Sequence, residues 1–268
     1  MLRTAHPVRF DRLTDNGRTK PLRVSVVTED NVEHDAVMKV SAGQECNVEG
    51  LANEMLGSLL AADLGLPVCE PYFVPLDKEF IASIGDAGLA LRLSNSCPVA
   101  FASKHAGNQW RRWLVSDKLS AGRHDLALEI LAFDAFAANS DRSPLNSNML
   151  VRDDAWRIID HESAFGIRLR LFPRCEPWVI GNLGMLRRYG ESGEHIFSKL
   201  LANNDNLDFD ALRKKWEDLS DVRLTQYDAC LPEEWDSARP FLIDAVTHIK
   251  RVRDSIGLCL QELKRVLS

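Results

Sequence analysis

Among the six cysteines of this chain there is no C-x-x-C pair, and no apolar run approaches the roughly 18 residues of a membrane span. Excess basic charge is also missing. Each absence closes off a class of protein. Cys46, Cys69, Cys97, Cys175, Cys230 and Cys259 are too scattered for a zinc site or a redox dithiol, and their apolar surroundings read as free thiols in a reducing compartment. The polar N-terminus lacks a secretory apolar core, so a cytoplasmic protein without a membrane role is expected. A net charge of −6 over 268 residues argues against general nucleic-acid binding, although local basic pairs such as Arg111-Arg112 remain. No internal repeat or low-complexity segment is evident.

What is present divides into two halves. Residues 1–20 are polar without a clear period and read as an arm or a loose edge. From Pro21 the pattern turns strand-like: Leu22–Val26 alternates, and Ala36–Val40 follows the polar turn at Glu29-Asp30-Asn31, giving a hairpin. Apolar residues at Val48, Leu51, Ala52, Met55, Leu59 and Ala62 have helical spacing, and Gly65 and Pro67 supply stop signals. Pro71–Leu76 and Val99–Ala102 read as further strands. Beyond them Asp125–Ala138 is almost wholly apolar, a helix buried on most sides, and the chain is helical from Ile196 to its end.

The last segment keeps strict three-four spacing through Leu242, Ala245, Ile249, Val252, Ile256, Cys259, Leu263 and Val266. As one continuous helix it would span about 40 Å. It either packs on its own domain or forms a homodimer seam.

The informative stretch lies at 139–165. Asp141 is followed five residues later by Asn146, and a hairpin of Met149–Val151 with Trp156–Asp160 returns a second carboxylate, Asp160, to the same end. Phosphoryl transfer calls for this set: a carboxylate to accept or orient a hydroxyl proton, and oxygen ligands for a magnesium ion that neutralises phosphate charge. Taken alone, an Asp and an Asn in a polar loop are ordinary turn formers. A second feature sharpens the reading. Lys39 ends a strand between apolar neighbours, where an unpaired ammonium is costly, so it is either solvated at an edge or paired. Glu54 on the following helix is the natural partner, with Glu49 the competitor if the register differs.

Asn139, Asp141, Arg142, Asn146, Asn148 and Leu150, with Ile159-Asp160-His161 downstream, resemble the catalytic region of the HipA-like kinases, bacterial relatives of protein and phosphatidylinositol kinases. A looser match runs upstream through Val37-Met38-Lys39-Val40, Asn53-Glu54 and Leu64–Val68, so the resemblance covers most of residues 35–165. It implies an α+β, bilobal, protein-kinase-like fold, with a strand-rich nucleotide lobe over 1–103 and a mostly helical lobe over 104–268. It implies ATP and magnesium as cofactors, Lys39 on the nucleotide phosphates with Glu54 beside it, Asp141 as catalytic base, and Asn146 and Asp160 as metal ligands. The backbone around Phe101, Ala102 and Ser103 would hold adenine. The acceptor would be a Ser or Thr of a protein. Some relatives are toxins acting on translation factors; nothing in this chain points to a toxin or its antitoxin.

Two departures stand out. There is no G-x-G-x-x-G before Lys39, so the loop from Ser41 through Gly43 to Gln44 either cradles phosphates through its backbone N–H groups or is a plain turn. His161-Glu162 follows Asp160 in place of Phe-Gly. For His161 a structural hydrogen bond to the Asp141 loop is expected ahead of contact with metal or substrate. Arg142 either steadies that loop or meets phosphate, and Asn148 is the alternative to Asn146 in the metal shell. Two rival readings are a metal-dependent phosphohydrolase, from the His34-Asp35 and His124-Asp125 pairs, and a catalytically inactive kinase-shaped module that binds nucleotide or protein.

Overall fold

Alternation of apolar and polar residues sets the first architectural unit. In the computed structural model, which describes residues 2–14, 19–43, 47–166, 176–187 and 194–268, five strands close into a barrel in the order β1-β2-β3-β5-β4. They are β1 (Arg3–Leu13), β2 (Leu22–Thr28), β3 (Glu33–Lys39), β4 (Pro71–Pro75) and β5 (Val99–Lys104). Successive strand side chains point to opposite faces. Leu22, Val24 and Val26, Ala36 and Met38, Tyr72 and Val74, and Ala100 and Ala102 therefore fill the barrel interior. The alternate positions Val37, Lys39, Phe101 and Ser103 face outward and line a cavity. The expected hairpin is β2 paired antiparallel with β3.

Between β3 and β4 runs α1 (Val48–Asp63), capped by the Asn47 side chain, which accepts from the Gly50 N–H at 2.6 Å. It is buried on every face from Leu51 to Ala61. Two short helices, α2 (Lys78–Ser83) and α3 (Ala87–Ser94), separate β4 from β5. After β5 come the two-residue strand β6 (Arg111–Arg112), the buried α4 (His124–Phe136), and the hairpin β7 (Met149–Arg152) and β8 (Ala155–Ile158), giving a second sheet ordered β6-β7-β8. Helices α5 (Ser198–Leu201), α6 (Phe209–Glu217), α7 (Asp221–Ala229), α8 (Arg239–Asp254) and α9 (Ile256–Leu267) complete the chain. Their apolar faces share one large core with α1, α4 and the second sheet. Although α1 precedes residue 103, its buried side chains belong to that core and not to the barrel interior. No described helix is long and apolar enough to cross a membrane.

Two expectations need correction. Residues 3–13 are neither an arm nor a loose edge: they form the longest strand among the described residues, paired antiparallel to β2 and parallel to β4. Register shifts between Pro7 and Arg9 and between Phe10 and Arg12 break the two-residue period, which hides the strand in the sequence. The C-terminal helix is two helices, because Ser255 leaves helical geometry (φ −112°, ψ 21°) beside the weak helix formers Ile256 and Gly257. The predicted stripe nonetheless stays on one side, and Leu242, Ala245, Ile249, Val252, Ile256, Cys259, Leu263 and Val266 are all buried within the chain's own core. A dimer seam along that stripe has no exposed residues to work with.

Candidate active site

Strand alternation delivers Lys39 outward from β3, and three elements meet it. Its Nζ lies 2.5 Å from Glu54 Oε1, 2.6 Å from Asp160 Oδ1 and 2.8 Å from Glu162 Oε2. Glu54 comes from the buried middle of α1, and the other two from the segment after β8. Burial disfavours the ammonium, yet the charges of Glu54, Asp160 and Glu162 outweigh it, so the Lys39 pKa is raised. Burial pushes Glu54 up to about 7 against the pull of Lys39, while Asp160 ends below the ordinary carboxylate range because Lys39 overcomes its burial. Asp160 adopts a left-handed conformation (φ 64°), uncommon for a residue with a β-carbon and a form of local strain that clusters at functional sites. Glu49, the alternative partner, is exposed on the first turn of α1.

The Asp141 loop is held from beneath. Asp134, fully buried on α4, accepts from Arg142 Nε at 2.5 Å and from Asn139 Nδ2 at 2.6 Å, and meets His195 Nε2 at 2.9 Å. Burial raises the Asp134 pKa, but the Arg142 charge and the His195 hydrogen bond bring it down to about 2. Arg142 also donates to the Asn148 carbonyl. It is therefore the brace of the loop, buried away from any phosphate. The Asn139 side-chain oxygen then receives the Asp141 N–H at 3.2 Å. Asp141 Oδ2 accepts one bond each from the amides of Asn146 and Asn148, both at 2.9 Å.

His161 does not bond the Asp141 loop. Its ring packs edge-on against Phe133, and its Nδ1 is buried without a partner among the described residues. Gly57 of α1 makes this fit possible: a β-carbon there would lie 2.5 Å from His161 Cβ. Burial, followed by the Arg142 charge, drops the His161 pKa to about 3.

Two cavities share Lys39, Arg112 and Asp160 on their walls. The first, about 270 Å³, has an apolar lining of Val37, Phe101, Leu150 and Ile159 beside Lys39. The second, about 760 Å³, is more polar and gathers Asp141, Asn146, Asp160, Glu162 and the start of α1. Of the predicted adenine segment, Phe101 and Ser103 line the first cavity, while Ala102 points into the barrel. Its main chain cannot serve a base, because β3 and β4 engage it on both sides. The N–H groups of Lys104 and His105 are also taken, by the carbonyls of Glu70 and Asp35. The first position beyond that pairing is Ala106, which lines the same cavity. Neither Ser41 nor Gly43 lines either cavity: the Ser41 hydroxyl accepts from the Cys97 N–H at 2.7 Å, and the Ala42 carbonyl accepts from Arg92 Nε at 2.8 Å. Gln44 lies outside the described residues. Wall residues that sequence reasoning missed are Arg12, Thr14, Arg23, Arg112 and Glu162, which belong to no local motif.

Asn146 and Asp160 offer oxygen donors to one cavity, the donor type that magnesium takes. The residues therefore fit a small hard cation.

The sequence matches the HipA-like kinase family over residues 26–177, more than half of the chain. The chain belongs to that family. No curated protein matches it. Among solved structures, the crystal structure of a Helicobacter pylori proinflammatory kinase, CtkA, is similar at 13% identity and TM-score 0.46, over 93% of this chain and 96% of that one. The family assignment rests on the sequence match, whose span holds Lys39, Glu54, Asp141, Asn146 and Asp160.

Three stability effects follow from this geometry. Arg142→Ala leaves Asp134 buried without its guanidinium partner, with only Asn139 and His195 beside it, and should cost about 3–5 kcal/mol in urea unfolding. Gly57→Ala should cost about 1–3 kcal/mol through the clash with His161; a neutral result would mean that α1 and His161 pack less closely. His161 and His195 both have lowered pKa values through burial, so below the ordinary histidine range the unfolded chain binds more protons than the folded one. Stability should accordingly fall as pH drops through about 6.5 towards 4. His161→Gln should flatten that slope in pH-dependent denaturant melts.

Proposed function

We propose that this chain is an ATP- and magnesium-dependent phosphotransferase acting on a Ser or Thr hydroxyl of a protein. The observation that carries the reading is the meeting of Lys39 and Asp160, 121 positions apart in sequence, at 2.6 Å where the two cavities join. One cavity suits a flat apolar base and the other holds the carboxylate that would receive a proton.

In this reading the barrel and the helical part act as two lobes, 1–103 and 104–268, with the nucleotide between them. Adenine packs between Val37 and Phe101 on one side and Leu150 and Ile159 on the other, and the Ala106 main chain supplies its polar contacts. The phosphates extend to Lys39, which exchanges carboxylate partners for phosphate oxygens. Asp141, oriented by the two asparagine amides, receives the proton of the acceptor hydroxyl. As the acceptor oxygen bonds to the γ-phosphorus, the bond from that phosphorus to the bridging oxygen breaks and ADP leaves with the electron pair. Asn146 and Asp160 would hold a magnesium ion, which when bound would supply charge neutralisation on the phosphates. The protein contributes positioning and fixed charge, with no covalent intermediate.

Asp141→Asn should lower phosphate transfer from labelled ATP by a factor of at least about 100 while leaving nucleotide affinity within a few-fold. Equal transfer by the mutant would remove Asp141 as base. ATP binding by the wild type with no transfer to itself or to any protein would favour the inactive binding module.

A further inference from the structure

Lys39, Arg112 and Asp160 are the residues common to the walls of both cavities. Two of them are already paired with each other, and Lys39 is matched by three carboxylates, Glu54, Asp160 and Glu162. That cluster carries one positive and three negative charges if fully ionised, so it holds no surplus to balance a triphosphate. Arg112 is different. It projects from the edge strand β6, and its guanidinium meets a neutral acceptor, the Asn146 side-chain oxygen, at 3.4 Å. Its neighbour Arg111 has its charge spent on Asp117, at 2.6 Å. Arg23, also on the first cavity, is paired with Asp35 at 2.8 Å.

Resting on the phosphotransferase reading, we propose that Arg112 is a γ-phosphate clamp, a guanidinium that binds the group to be transferred and separates ATP from ADP. Position selects the γ-phosphate. Arg112 touches Asn146, Asn146 touches Asp141, and the base must lie next to the hydroxyl that attacks the γ-phosphorus. Arg112 and Lys39 both stand where the two cavities join, and Arg112 is the one linked through Asn146 to the proposed base. The Asn146 oxygen that Arg112 covers is the same atom proposed for magnesium. When a cation takes that oxygen, the guanidinium needs another acceptor, and a γ-phosphate oxygen offers a charged, bidentate one. Arg112 remains protonated throughout and acts by charge and orientation.

The test is equilibrium binding of ATP and of ADP, each with magnesium, to the full chain and to Arg112→Gln, Arg112→Lys and Arg111→Gln. Arg112 is exposed on a two-residue edge strand, so these variants should fold, and circular dichroism checks that they do. Arg112→Gln should lose about 10- to 100-fold in ATP affinity, as expected for a charge-assisted contact, with ADP affinity nearly unchanged. Arg112→Lys should recover part of the loss, and Arg111→Gln should behave as wild type. Equal weakening of ATP and ADP, or no change in either, would overturn the clamp while leaving the kinase reading intact. Binding of neither nucleotide by the wild type would overturn the kinase reading itself and the clamp with it.

Discussion

A nearly buried ammonium, that of Lys39, ties the architecture together. It belongs to the barrel, yet its three carboxylate partners come from α1 and from the segment after β8. Removing a cation from water is costly unless opposite charge surrounds it, so the barrel, the helix and the hairpin must come to one point or leave charges stranded. Glu54 brings a second demand. It is buried on a helix that packs into the larger core, so its position is fixed by Leu51, Met55 and Leu56 around it. The site is thus defined by where the barrel meets the helical core.

A second buried charge set fixes the loop across the cavity. Asp134 faces Arg142, Asn139 and His195, and through them sets the path of the chain that carries Asp141. The arrangement is layered: a buried ionic base below, two asparagine amides in the middle, and the Asp141 carboxylate at the cavity. Such layering holds the Asp141 carboxylate in one orientation, the preorganisation that the proposed proton transfer would use. Gly57 serves the same end on the opposite side, letting α1 approach His161 and therefore Asp160.

Much of this was legible in the sequence because it is local or strongly periodic. The Asp141–Asn146 spacing, the β7–β8 return to Asp160, and the cost of a lysine among apolar strand residues all pointed to groups that do converge. What escaped has physical reasons. β1 was hidden because two register shifts erase its alternation, and the helix break at Ser255 because one deviant residue leaves the buried stripe in phase. The resemblance implied that the Phe101–Ser103 backbone holds adenine, but β5 lies between β3 and β4 and is paired on both sides, which only the order of the strands in the sheet reveals. Ser41 and Gly43 resembled a phosphate loop, yet tertiary bonds to Cys97 and Arg92 draw that loop towards the end of α3. Glu162 and Arg112 belong to no spacing rule; they matter only because distant segments meet.

The most direct test of the central claim is a crystal structure of the chain with a non-hydrolysable ATP analogue and magnesium. The account predicts adenine between Phe101 and Leu150, phosphate oxygens within hydrogen-bond distance of Lys39 Nζ, and the metal bound by Asn146 and Asp160. A nucleotide bound elsewhere, or Lys39 still held by all three carboxylates beside a bound nucleotide, would contradict it.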